Sequence, residues 1–274
     1  MKKRTKAFRV ILYVLLVMVI ARIAYFKYDL MPKYYKLTDK EREFLDWYNY
    51  YYGIPAPKRF IKEMLYKDEI RQIEWLRRLY ADLEERYPGY QFYISGKKDP
   101  GMFGAAGYSE YYTEEETTGR DFDTHVYFKD GDYAYEEDNF YRYFVEEEYA
   151  EYVGGLLKEK GVDKVVKTGG AMSTVMGKEC DSTITVEEIV NKYIEEMSPS
   201  VWIFLEAKGM TEEECAEYAK WVQEKLEEIN LRGTYSIYFC DMTGDEIVSS
   251  EMEDMIFIYI HRCQSWNWGK EEEE

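Results

Sequence analysis

Asp121, Asp123 and His125 are the residues whose spacing comes nearest to a reaction centre. They alternate with Phe122, Thr124, Val126 and Phe128, so a strand over this run turns all three to one polar face. An imidazole beside two carboxylates can relay a proton or hold a divalent cation. The same pattern also describes an ordinary solvated strand face. The other histidine, His261, precedes Arg262 at a strand end, and no third partner is visible in sequence.

Cys180, Cys215, Cys240 and Cys263 all fall in the final hundred residues. No CxxC pair or histidine spacing accompanies them, so they do not read as metal ligands. If 201–207, 211–230 and 234–240 form a strand–helix–strand unit, Cys215 and Cys240 lie at the same end of it. That sketch favours a Cys215–Cys240 disulfide, with Cys180 as the alternative partner and free buried thiols as the other outcome.

Other chemistry fails on spacing. Ser95-Gly96-Lys97-Lys98 and Lys167-Thr168-Gly169 have the residue types of a penicillin-binding serine site, but Ser95 ends a strand where that nucleophile opens a helix. Gly177-Lys178 is followed by Glu179, which excludes a phosphate loop. Asp130–Asp138 lacks the calcium-loop pattern. Carboxylate pairs for hydrolysis are too abundant to single out. No catalytic, metal-binding or cofactor-binding set is expected, and no cofactor.

Aromatic residues point instead to recognition. The chain holds 29 tyrosines, side chains that serve half-buried strands and binding faces alike. Lys98–Arg120 carries Gly101, Gly104, Gly107 and Gly119 together with Tyr108, Tyr111 and Tyr112. It reads as a tyrosine-lined recognition loop, or as a plain flexible loop or extra hairpin. A helix over 39–52, dense in Trp47, Tyr48 and Tyr51, serves either a partner surface or the core.

The elements that would position these residues are partly marked. Thr38-Asp39-Lys40-Glu41, Thr185-Val186-Glu187-Glu188 and Thr211-Glu212-Glu213-Glu214 are capping boxes. Phe60, Ile61, Met64 and Leu65 keep helical spacing, as do Ile70, Ile73, Leu76, Leu79 and Leu83, with Asp68 a cap between the two segments. Asp138-Asn139 reads as a further cap, and Gly233 as the stop of the long helix from Thr211. Strands are expected at 90–94, 122–128, 162–167, 201–207, 234–240 and 255–260, with a weaker one at 172–176. The fold class expected is α+β, a mainly antiparallel sheet with helices packed on one face. Two α-β-β units, 57–160 and 161–268, would suit the echo between Gly89 with its strand and Gly233 with its strand.

An address precedes all this. Lys2, Lys3, Arg4, Lys6 and Arg9 lead into an apolar run from Val10 to Ala21, broken by Arg22 near the exit. That order predicts a cytoplasmic basic tail at 1–6 and a single transmembrane signal-anchor helix at 7–26. A juxtamembrane linker and helix at 27–56, an extracytoplasmic domain at 57–268 and an acidic tail at 269–274 would follow. Cleavage near Ala21 would instead give a secreted protein. Beyond residue 26 the chain has 30 Lys and Arg against 54 Asp and Glu, a net charge of −24. Such a surface repels phosphate backbones, so no nucleic-acid partner is expected. The sequence thus reads as a membrane-anchored interaction or sensory module with a protein or cell-envelope partner. The alternatives are a carboxylate-dependent envelope hydrolase and an acidic neutraliser of a basic toxin or enzyme.

Overall fold

Thr38, Thr185 and Thr211 each stand three residues before a glutamate, and each opens a helix. Thr211 Oγ1 accepts the Glu214 N–H at 3.3 Å while the Glu214 carboxylate accepts the Thr211 N–H at 2.8 Å. Thr38 with Glu41 and Thr185 with Glu188 repeat the exchange. Each pair satisfies amide donors that a helix start leaves without partners. The computed structural model in which these contacts occur describes residues 13–20, 32–51, 63–97, 107–130 and 132–265.

The first half begins with β1 (Lys33–Tyr34), α1 (Asp39–Tyr51), β2 (Met64–Leu65) and α2 (Lys67–Arg86). β2 pairs antiparallel with β1, so Met64 and Leu65 are strand residues and not the helical turn their spacing suggested. Asp68 lies inside the first turn of α2, and Glu69 reaches back to the Tyr66 N–H at 2.8 Å. There follow β3 (Phe92–Lys97), β4 (Tyr108–Glu115), β5 (Asp121–Lys129) and β6 (Asp132–Asp138). They form an antiparallel meander in the order β3-β4-β5-β6.

The second half comprises α3 (Arg142–Glu159), β7 (Val165–Ala171), a short α4 (Val186–Glu188) continued by a π turn to Tyr193, β8 (Ser200–Glu206), α5 (Glu212–Ile229), β9 (Gly233–Cys240), α6 (Gly244–Ser249) and β10 (Phe257–Ser265). Its sheet has the order β10-β9-β8-β7. β8 and β9 are parallel, as a crossover through α5 requires, and the other pairs are antiparallel. Asn230, left-handed at φ 57°, ends α5 before Gly233 is reached. Asp138 and Asn139 precede α3 without capping it. The Asp138 carboxylate accepts the Phe140 N–H and Asn139 bridges Asp123 to Ser173. Of 172–176, Met176 alone makes a bridge, to Asp138.

The molecule is therefore α+β and mainly antiparallel. The two sheets are not copies: β4 separates β3 from β5, whereas β9 and β10 pair directly. Helix placement differs too. α2 buries Ile73, Trp75, Leu76, Leu79 and Leu83 against the first sheet. The second sheet carries α3 and α5 on one face, whereas Ile247 of α6 packs with Phe204, Tyr238 and Cys240 on the other.

Tyrosine abundance is explained in part by this core. Tyr87, Tyr111, Tyr141, Tyr149 and Tyr235 are among its largest fully buried side chains. Trp75 meets Phe44, Tyr111 and Phe128 at centroid distances of 5.4, 5.8 and 5.7 Å. Edge-on and tilted aromatic contacts of this kind add about 0.5–1.5 kcal/mol each beyond area burial.

Most of the 7–26 segment, all of 98–106 and the 269–274 tail lie outside the described residues. Residues 13–20 are helical. Among the described residues, no helix is long and apolar enough to cross a membrane.

Candidate interaction face

β4 and β5 each alternate between the core and solvent, and the register between them decides which outward residues meet. Phe122, Thr124 and Val126 are buried, so Asp121, Asp123, His125 and Tyr127 point away from α2. On β4, Tyr111, Thr113 and Glu115 are buried, so Tyr108, Glu110, Tyr112 and Glu114 share the outer face. Pairing sets Tyr108 opposite Tyr127, Glu110 opposite His125 and Tyr112 opposite Asp123. β6 adds Tyr135 opposite Tyr127 and Glu137 opposite His125.

Two sets that are separate in sequence thereby become one surface. The polar cluster Asp121, Asp123 and His125 and the tyrosines Tyr108 and Tyr112 stand side by side. Tyr111 does not join them, being 2% exposed, whereas Tyr108, Tyr112 and Tyr135 are 37%, 42% and 46% exposed. The segment from 107 onward is strand and turn, so of the readings open for it the extra hairpin is the one the described residues form.

Tyr108, Tyr127 and Tyr135 stack across three strands, with centroids 5.6 and 4.4 Å apart. Carboxylates border the stack. Tyr108 donates its hydroxyl to Glu110 at 2.9 Å and Tyr127 donates to Glu137 at 2.9 Å. Partial burial and the Glu137 hydrogen bond push the Tyr127 phenol up to about 12. Tyr93 on β3 likewise donates to Glu114, which raises its phenol. His125 Nε2 lies 3.8 Å from Glu110, too far for a hydrogen bond. Among the described residues, no group of three His, Cys, Asp or Glu side chains converges as a metal site. What the face can do is present tyrosine rings edged with negative charge to a cation.

Carboxylates with raised pKa values lie elsewhere. Arg86 Nη2 grips both oxygens of Glu136 at 2.9 and 2.8 Å, while Nη1 bonds Asp138. Tyr87 donates its hydroxyl to Asp138 at 2.8 Å. Burial pushes Glu136 up to about 7 and Asp138 to about 6, against the pull of Arg86. Both side chains are 0% exposed. Clefts of about 380 and 610 Å³ open elsewhere on the molecule, and neither is lined by them. Nothing in the sequence marked this knot, whose partners are 50 and 52 residues apart.

The cysteines are free and buried. The disulfide expected between Cys215 and Cys240 is not formed, and alternation explains why. Phe239 faces α5, where Cys215 sits, so the adjacent Cys240 faces α6 across the sheet. Burial raises the Cys240 and Cys263 thiols to about 11 and Cys180 to about 12, the condition of inert thiols.

No family model matches the chain, and searches of curated proteins and of solved structures return no match either.

Proposed function

We propose that this chain is a single-pass membrane protein. Its α+β domain lies outside the cytoplasm and binds a basic segment of a protein or cell-envelope partner. The observation that carries the reading is the stack of Tyr108, Tyr127 and Tyr135 bordered by Glu110 and Glu137. Lysine or arginine over a tyrosine ring gains about 0.5–1 kcal/mol at an exposed site. Flanking carboxylates add steering that weakens with salt. Tyrosines held by hydrogen bonds and stacking lose little further freedom on binding. The anchor rests on the basic N-terminus and the apolar run that follows it. An acidic neutraliser of a basic protein would use the same face. A carboxylate hydrolase is less well supported: Glu136 and Asp138 are sealed against Arg86 and away from either cleft, and Glu146, raised by burial and lining the 610 Å³ cleft, is held by the Met172 N–H at 3.3 Å.

The test is hydroxyl-radical footprinting of the full chain in detergent micelles, with decalysine as the probe. Protection of Tyr108, Tyr112 and Tyr135 is expected at low salt. It should vanish at about 1 M salt, where the Debye length is about 3 Å. Protection spread over the glutamates of α5, with the tyrosine face unchanged, would overturn the reading.

A further inference from the structure

β7 is the outermost strand of the second sheet. β8 pairs with one of its edges, and among the described residues no strand pairs with the other. An antiparallel strand turns alternate N–H and C=O groups away from its neighbour, so that edge presents a row of backbone donors and acceptors. Natural edges are commonly blunted by charge, proline or a bulge. The bulge of β7 is confined to Val165–Lys167, and Thr168-Gly169-Gly170-Ala171 beyond it has neither charge nor proline. A cleft of about 610 Å³ runs along the strand and is lined by every residue from Val165 to Gly170.

The two walls of this cleft differ in chemistry. On the face shared with α3, Glu146, Glu147 and Glu151 line it, with Lys158 further along the helix. α3 comes this close because Gly170 has no side chain: a Cβ there would stand 2.7 Å from the Glu146 carbonyl oxygen. On the opposite face the lining is Trp202 and Val248. The Trp202 ring lies where a Cβ on Gly169 would meet it at 3.1 Å, and Val248 is 61% exposed. Lys167 turns to the same side and is engaged by the Ser250 carbonyl at 2.9 Å.

We propose that the free edge of β7 adds an extended segment of a partner protein as a fifth strand, one in which basic residues alternate with apolar ones. Side chains of an added strand project alternately to the two faces of the sheet. Every second residue therefore meets Glu146, Glu147 and Glu151, and the residues between them meet Trp202 and Val248. Backbone hydrogen bonds supply the affinity and the two unlike walls supply the selectivity, as in other strand-addition sites. The site is independent of the tyrosine face on the first sheet.

The test uses a ten-residue peptide alternating lysine and valine, added to the full chain and read by hydrogen–deuterium exchange with mass spectrometry. Two further peptides carry N-methyl groups on alternate residues, one in each phase, so that each loses one hydrogen-bonding edge at unchanged charge. Exchange within 165–171 should slow several-fold with the parent peptide. One N-methylated phase should keep that effect and the other should lose it. Because Glu147 and Glu151 are exposed, Glu147→Lys with Glu151→Lys leaves the fold intact and should weaken the protection about tenfold. Equal action of both phases would mean attraction by charge alone and overturn the proposal. No slowing in 165–171, or slowing confined to 108–138, would overturn it as well, and the latter result would leave the tyrosine face standing.

Discussion

Arg86, at the end of α2, ties that helix to β6 through Glu136 and Asp138. It is 3% exposed in its side chain and is the cation paired with two carboxylates whose side chains are 0% exposed. Removing one partner of a buried pair costs about 3–5 kcal/mol, because the charge left behind has no compensation. Arg86→Met should therefore destabilise by that amount near pH 8, measured by urea unfolding. The pH dependence has a definite sign. Glu136 and Asp138 have folded pKa values above their unfolded ones, so the stability linked to them is present below the unfolded values and is lost as pH rises through about 6 and about 7. Without Arg86 both rise further, so the deficit of the variant should shrink at pH 5 as the carboxylates take up protons. A deficit equal at the two pH values would contradict this role.

At the scale of elements, α3 and β7 show how backbone contact sets what a glycine is for. A Cβ on Gly155 meets nothing within 4 Å, so Gly155→Ala should stabilise the helix by about 0.5–1 kcal/mol. Gly170→Ala drives a methyl into the Glu146 backbone and should cost about 1–3 kcal/mol. Thermal unfolding of the two variants decides it, and effects of one sign would refute the packing described. These glycines also mark where sequence reading stops. Capping boxes were legible because donor and acceptor lie three residues apart. The alternation of β5 was legible because its inward residues are mostly apolar. β4 was hidden because its inward row is Tyr111, Thr113 and Glu115, which no hydrophobic period detects. Glu115 is buried there because the amides of Thr117 and Thr118 and the Thr118 hydroxyl satisfy it. The candidate face was half legible: Asp121, Asp123 and His125 share a strand, but their meeting with Tyr108 and Tyr112 depends on a register that only folding supplies.

For the whole molecule, a net charge of −18 repels like-charged surfaces and attracts cations without regard to side. Charge by itself therefore selects no site. In the proposed function selection comes from geometry, a stack of tyrosines on one sheet with carboxylates hydrogen-bonded beside it. The most direct test is site-specific photocrosslinking in cells that make this protein, with benzoylphenylalanine placed in turn at Tyr112, Tyr135 and Glu213. Crosslinks to a basic protein or envelope component are expected from Tyr112 and Tyr135 but not from Glu213, with loss of the product when protease is added outside intact cells. Equal crosslinking from all three positions, or a product that survives until the cells are lysed, would contradict the proposed function.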